Sequence, residues 1–201
     1  MNPELPQPPQ QDLVLTHAEE VHSDLPHKEQ ESTSTIGLWV RDLLVATVAS
    51  LLIITFLYQP VRVEGTSMLP RLEDSDRLFI NKLVYHIESV QRGDVVVFHY
   101  PRDPELSYIK RVIAIPGDRL RIDHGHVVLN GRLLDEPYVP EEYRDSHSMP
   151  EVVIPPGQYF MMGDHRSISS DSREFGPVRR SFIYGKAAFV YWPTRDAGPV
   201  R

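Results

Sequence analysis

Two side chains in this sequence have the type and surroundings that acyl transfer needs. Ser67 lies in the stretch 63–70, V-E-G-T-S-M-L-P, and Lys110 lies further along in S-Y-I-K-R-V-I-A-I. A serine hydroxyl is a poor nucleophile until a neighbouring base takes its proton. Lysine serves as that base only when its pKa falls toward about 7–8, which desolvation in apolar surroundings brings about. Strand alternation puts Tyr108, Lys110 and Val112 on one face and Ile109, Arg111 and Ile113 on the other. A strand lysine is commonly exposed with its stem packed, so Lys110 carries little weight by itself.

Other constellations are poorer. His124 and His126, in H-G-H, flank a turn but lack the further ligands that zinc requires, and the chain has no cysteine. Asp164, Asp171 and the serines near them do not have the spacing or terminal Glu of a calcium loop. A Ser/His/Asp triad could draw on Ser67 or Ser169 with His99 or His165, yet no G-x-S-x-G elbow is present. The S-x-x-K pattern fails because Pro70 stands three residues after Ser67. No metal and no cofactor is expected.

The elements that must position Ser67 and Lys110 follow from composition. The chain has 201 residues, 41% of them hydrophobic, enough for one packed domain with appendages. Of the formal net charge of −7, nearly all falls in residues 1–35, where seven acidic residues face Lys28 alone. The rest is close to neutral and shows no phosphate-binding basic patch, so no nucleic-acid partner is expected. Residues 1–35 are rich in Pro, Gln, Glu, Ser and Thr and read as a disordered acidic tail.

Residues 36–58, IGLWVRDLLVATVASLLIITFLY, form the single long apolar run. As a helix it would be about 35 Å long, enough for a hydrocarbon core of about 30 Å. It is expected to span a lipid bilayer, with Trp39 and Tyr58 at the two interfaces and Arg41 and Asp42 snorkelling or pairing near one end. A cleaved secretory signal fits less well, because the run follows a long acidic tail and ends Y-Q-P-V. A buried core helix is the bland alternative. Charge alone does not orient the segment, since Arg62, Arg71, Arg77 and Lys82 follow it.

Beyond Pro60 the texture is short Val/Ile/Tyr/Phe runs broken by Gly, Pro, Asn and Asp, which predicts a mainly β, antiparallel domain over 59–201. Strands are expected at 61–63, 77–80, 95–100, 108–115, 119–123, 126–130, 132–134, 158–162 and 187–192. Asn130-Gly131 is a two-residue hairpin signal. The polar stretch 134–150, with Pro137, Pro140 and Pro150, reads as a surface loop, and no amphipathic helix is expected after the membrane span.

Four ordered blocks then make the chain resemble the bacterial type I signal peptidases, membrane-bound serine proteases that remove signal peptides from exported preproteins. They are G-T-S-M-L-P (65–70), R-G-D-V-V-V-F (92–98), Y-I-K-R-V-I-A-I-P-G-D (108–118) and G-D-H-R-S-I-S-S-D-S-R-E-F-G (163–176). The resemblance implies Ser67 as nucleophile and Lys110 as general base, with Ser169 hydrogen-bonding and orienting the lysine. Gly163, Asp171 and Arg173 match residues that support the site, the last two as an ion pair. Val61, Val63, Met68, Tyr108 and Ile109 are implied as the lining of pockets for small residues at the first and third positions before the cut, Ala-x-Ala in type.

By the same likeness a small accessory β region is expected at about 116–157, the tail lies in the cytoplasm, and 59–201 lies on the outer face of the bacterial cytoplasmic membrane. Two positions depart from the family's best-known pattern: Gly65 stands where many members carry a serine that donates to the oxyanion, and His165 stands where Asn is usual. Two rival readings remain. A self-cleaving repressor-type peptidase shares the dyad but carries a DNA-binding region in front, and a silent membrane-anchored β module would bind a partner without chemistry.

Overall fold

The computed structural model describes residues 35–200. The acidic tail falls outside them. The first element, α1 (Thr35–Leu57), contains the apolar run and is exposed along its described length, as a helix shaped for lipid rather than for a protein core would be. Its stretch Ile36–Thr55 has a mean hydropathy of 1.9 and is long and apolar enough to cross a membrane. The two charged residues inside it pair with each other, Arg41 Nη2 donating to Asp42 Oδ1 at 2.9 Å, which lowers the cost of both in an apolar setting.

The chain continues as β1 (Tyr58–Arg62), β2 (Arg77–Asn81), a single helical turn α2 (Val84–Ile87), β3 (Val95–Tyr100) and the long β4 (Asp103–Ala114). A second group follows with β5 (Arg119–Asp123), β6 (His126–Leu129), β7 (Arg132–Leu133) and β8 (Met149–Val153). Then come β9 (Gln158–Met162), α3 (Ser172–Phe175), β10 (Val178–Arg179), β11 (Ile183–Trp192) and β12 (Gly198–Pro199). Every strand pairing is antiparallel. The larger sheet runs β1-β2-β11-β3-β4-β9-β10, with β12 beside β11, and the smaller runs β7-β6-β5-β8.

The mainly β expectation therefore holds; β10 and β12 were not among the expected strands, β1 starts three residues early at Tyr58, and three further differences stand out. The stretch read as a surface loop contains β8, an edge strand, and edges tolerate Pro150 because one row of backbone groups there needs no partner. β4 begins five residues earlier than alternation indicated, at Asp103. β11 extends back through Gly185, which looked like a break; a β-carbon there would come within 2.2 Å of Ile80 Cγ2, so glycine is what lets β11 lie against β2.

Three apolar clusters hold these layers. Val63, Met68, Leu72, Leu78 and Val95 form one, and Val96, Phe98, Val112 and Met161 form a second. The third joins the ends of β4 and β9, through Ile113, Ala114 and Phe160, to Leu120, Ile122 and Val127 of the small sheet. A register shift against β9 between Val112 and Ala114 turns the strand so that consecutive residues 110–114 are all buried.

Buried charge ties the loop after β9 to this core. Arg111 is 2% exposed and donates through Nε and Nη2 to Asp164, itself fully buried, at 2.8 and 2.6 Å. The Arg111 guanidinium also lies 4.1 Å from the centre of the Tyr138 ring. Arg166 and Glu136 make a second buried pair, and Arg166 Nε donates to Gly163 O at 3.0 Å. Removing one partner of such a pair strands the other charge in the interior. Asp164→Ala is expected to lower unfolding free energy by about 3–5 kcal/mol, read from chemical denaturation of the purified chain; an unchanged midpoint would contradict it.

Candidate active site

The segment between β1 and β2 is closed at its neck and anchored from below. Val63 N–H donates to Asp76 O at 2.8 Å and Ser75 N–H to Val63 O at 2.9 Å, while Gly65 N–H donates to the Asp74 carboxylate at 2.8 Å. Met68 and Leu72 sink into the core, 1% and 0% exposed, joined by a bond from Leu72 N–H to Met68 O at 2.9 Å. Buried residues on the far side of the turn leave Ser67 presented on the near side. Met68 therefore packs under the loop and does not line the cleft, unlike the other four residues assigned to substrate pockets.

Lys110 is 4% exposed and its Nζ lies 2.6 Å from Ser67 Oγ. Burial brings the ammonium down to about pKa 8; Asp171 and Asp164 oppose that shift and Arg173 adds slightly to it. The nitrogen also sits 5.3 Å from the centre of the Tyr108 ring. In the charged form Nζ donates to the hydroxyl; in the neutral form the hydroxyl donates to the nitrogen lone pair.

The loop after β9 forms the roof. Asp171, fully buried, accepts Gly163 N–H at 3.1 Å and the Arg173 Nη2–H at 2.7 Å, and Arg173 reaches on to Asp145 and to Arg166 O. A β-carbon at Gly163 would come within 2.3 Å of Ser169 Oγ and 2.5 Å of Ser67 O, so the loop and the turn carrying Ser67 meet with no room for a side chain. The bond from Ser169 to Lys110 implied by resemblance is not formed. Ser169 Oγ packs over Gly163, enclosed and without a hydrogen-bond partner among the described residues, and Lys110 Nζ is bonded to Ser67 instead. His165, the departure from Asn, keeps the loop joined to the turn: its N–H donates to Ser67 O at 3.1 Å and its Nδ1 lies 3.3 Å from Thr66 O.

Ser67 and Lys110 open onto a cleft of about 580 Å³. Val61, Val63 and Gly65 lie on one wall, and Tyr108, Ile109 and Lys110 on the other, although three strands separate β1 from β4 in the sheet. Ile168, Ser170 and Tyr184 also line it and had no signal in the sequence, because each reaches the cleft through tertiary folding alone. Pairing of β4 with β9 starts only at Arg111, so the residues of β4 before it have no second partner strand among those described. The wall beside Lys110 is thus an open strand edge.

A protein-family model for signal peptidases of the peptidase S26 group matches residues 36–192. The chain belongs to that family. A signal peptidase I of Bacillus licheniformis is 35% identical over 180 residues, which cover 84% of this chain and 96% of the relative. A probable signal peptidase I-1 of Synechocystis is 39% identical over 163 residues, 78% of this chain and 82% of the relative. A crystal structure of a signal peptidase I from Enterococcus faecalis is 28% identical, with a TM-score of 0.45, covering 51% of this chain and 99% of that one. As a member of the family the chain is a serine endopeptidase.

The tight contact at Gly163 has a direct test. Gly163→Ala clashes with both the Ser67 carbonyl and the Ser169 side chain, and the backbone of the first cannot yield cheaply. Peptidase activity is expected to drop by at least about tenfold, since small misplacements of a reacting group carry costs of that order. Activity equal to wild type would show that the contact has slack.

Proposed function

We propose that the chain is a membrane-anchored signal peptidase in which Ser67 and Lys110 form a catalytic dyad. The observation carrying this reading is the 2.6 Å contact between Ser67 Oγ and a lysine that burial holds near pKa 8. Neutral Lys110 takes the Ser67 proton as Oγ attacks the scissile carbonyl, and the tetrahedral oxyanion is received by the Ser67 N–H. The Lys110 ammonium then protonates the departing amine, leaving an acyl-enzyme. Lys110 next takes a proton from water, the hydroxide attacks the ester, and the proton returns to Ser67 as the acid is released. Every proton moved is carried by Lys110, so these steps call on no metal or cofactor.

The substrate is the extended end of a signal peptide on an exported preprotein. It lies in the cleft and adds main-chain hydrogen bonds along the open edge of β4, which is β-augmentation. Alternate side chains then point to the apolar floor, where Val61, Val63, Tyr108 and Ile109 leave space for residues of alanine size at the first and third positions before the cut. Ser169, Asp171, Arg173 and Gly163 support the dyad from the roof. The helix α1 anchors the enzyme in the bacterial cytoplasmic membrane, with residues 1–35 on the cytoplasmic side and the β body, 59–201, on the outer face.

Ser67→Ala and Lys110→Ala are each expected to abolish cleavage of a model preprotein while thermal unfolding changes little, and Lys110→Arg is expected to fail because arginine keeps its proton. Substantial cleavage by any of the three would refute the dyad. The pH profile carries a sign. Below about pH 8 Lys110 is protonated and cannot act as base, so kcat/KM should rise with pH through a midpoint near 8 and then level off. A profile falling across pH 7–9 would be incompatible with a lysine base.

A further inference from the structure

The Ser67 N–H is the only oxyanion donor that the preceding mechanism names, and Gly65 brings no side-chain donor to it. What aims that N–H is therefore decisive. The N–H belongs to the peptide unit joining Thr66 to Ser67, and a trans peptide is planar with its carbonyl pointing opposite to its N–H. Whatever holds the Thr66 carbonyl aims the Ser67 N–H.

Two groups hold it. Leu69 N–H donates to Thr66 O at 3.2 Å from within the turn, and His165 Nδ1 lies 3.3 Å from the same oxygen from the roof loop. A carbonyl can only accept, so Nδ1 carries the hydrogen in this contact. The backbone N–H of His165 donates to Ser67 O at 3.1 Å, fixing the next peptide unit as well. One residue thus grips the peptides on both sides of the nucleophile's Cα. The Ser67 N–H itself makes no hydrogen bond among the described residues and is left for a ligand. The Tyr143 ring stands edge-to-face with the imidazole, centres 4.4 Å apart, and limits its rotation.

We infer that His165 is a positioning residue that aims and polarises the oxyanion-binding N–H of Ser67 by donating from Nδ1 to the Thr66 carbonyl. This rests on Ser67 being the nucleophile. Donation to the carbonyl end of a peptide strengthens the dipole at its N–H end, so the grip acts on the strength of the oxyanion bond as well as on its direction. The oxyanion forms only on the way to the transition state, so the contribution falls on kcat and leaves substrate binding nearly untouched.

Asparagine and leucine at 165 separate this role from a structural one. Asn Nδ2, like His Nδ1, is bonded to Cγ and can donate to the same oxygen; leucine has the same branching at Cγ as asparagine and no donor. With the full-length chain in detergent and a peptide substrate, His165→Asn is expected to keep kcat within about threefold of wild type. His165→Leu is expected to lower kcat by about tenfold to hundredfold with KM within about twofold, less than outright deletion of an oxyanion donor. A leucine variant equal to wild type, an asparagine variant as poor as leucine, or a loss confined to KM would each overturn the inference. Ser67→Ala runs beside them: if it stays active, the nucleophile assignment falls and the inference with it, whereas an inactive Ser67→Ala beside an unaffected leucine variant overturns the inference alone.

Discussion

The burial of Lys110 against Ser67 is the constraint to which the rest of the fold answers. A lysine loses its proton near neutral pH only if water is kept away and no carboxylate is left free to hold the charge in place. The first condition is met by a strand whose residues 110–114 are all enclosed. The second is harder, because Asp164 and Asp171 are both fully buried nearby and both pull the lysine back toward its charged form. Each is bound to an arginine, Asp164 to Arg111 and Asp171 to Arg173. These ion pairs brace the roof loop, and they also keep two carboxylates occupied so that neither becomes the partner of Lys110.

The turn carrying Ser67 and the roof loop come from distant parts of the chain and meet through main-chain groups. His165 N–H meets Ser67 O, and a β-carbon at 163 has no space beside that same carbonyl. Backbone contacts of this kind fix position more tightly than long side chains, since fewer torsions separate the joined atoms. Met68 and Leu72 serve the same end from below, acting as pegs that stop the turn from tilting.

Much of this was legible in residue types and order. The apolar run gave α1 and alternation gave most strands, whereas Ser67 with Lys110 was only a candidate pair by residue type and gained its weight from the resemblance of the four ordered blocks. What alternation could not reveal was anything set by a partner strand: Gly185 looked like a break until Ile80 was seen to occupy the space beside it, and Pro150 looked like a loop signal until β8 proved to be an edge. The buried ion pairs of Arg111 and Arg166 left no trace in the sequence because their acids, Asp164 and Glu136, lie far away along the chain. Met68 was misplaced for a related reason, since its neighbour Ser67 faces the cleft and only the turn's pitch decides which of the two does so.

An open strand edge is useful for capturing an extended peptide, and it is also an invitation to another copy of the same protein. Edge-to-edge pairing of this kind is a common start of aggregation. The first three residues of β4 answer it. The Glu105 N–H is directed to the Asp103 side chain at 3.3 Å instead of outward to a further strand. With Asp103 and Glu105 also exposed and negatively charged, a second β4 would meet like charge and an occupied backbone donor there. The stretch left unpaired is the short one beside Lys110, so the strand is blunted against its own kind over its first residues and bare only over the few that follow.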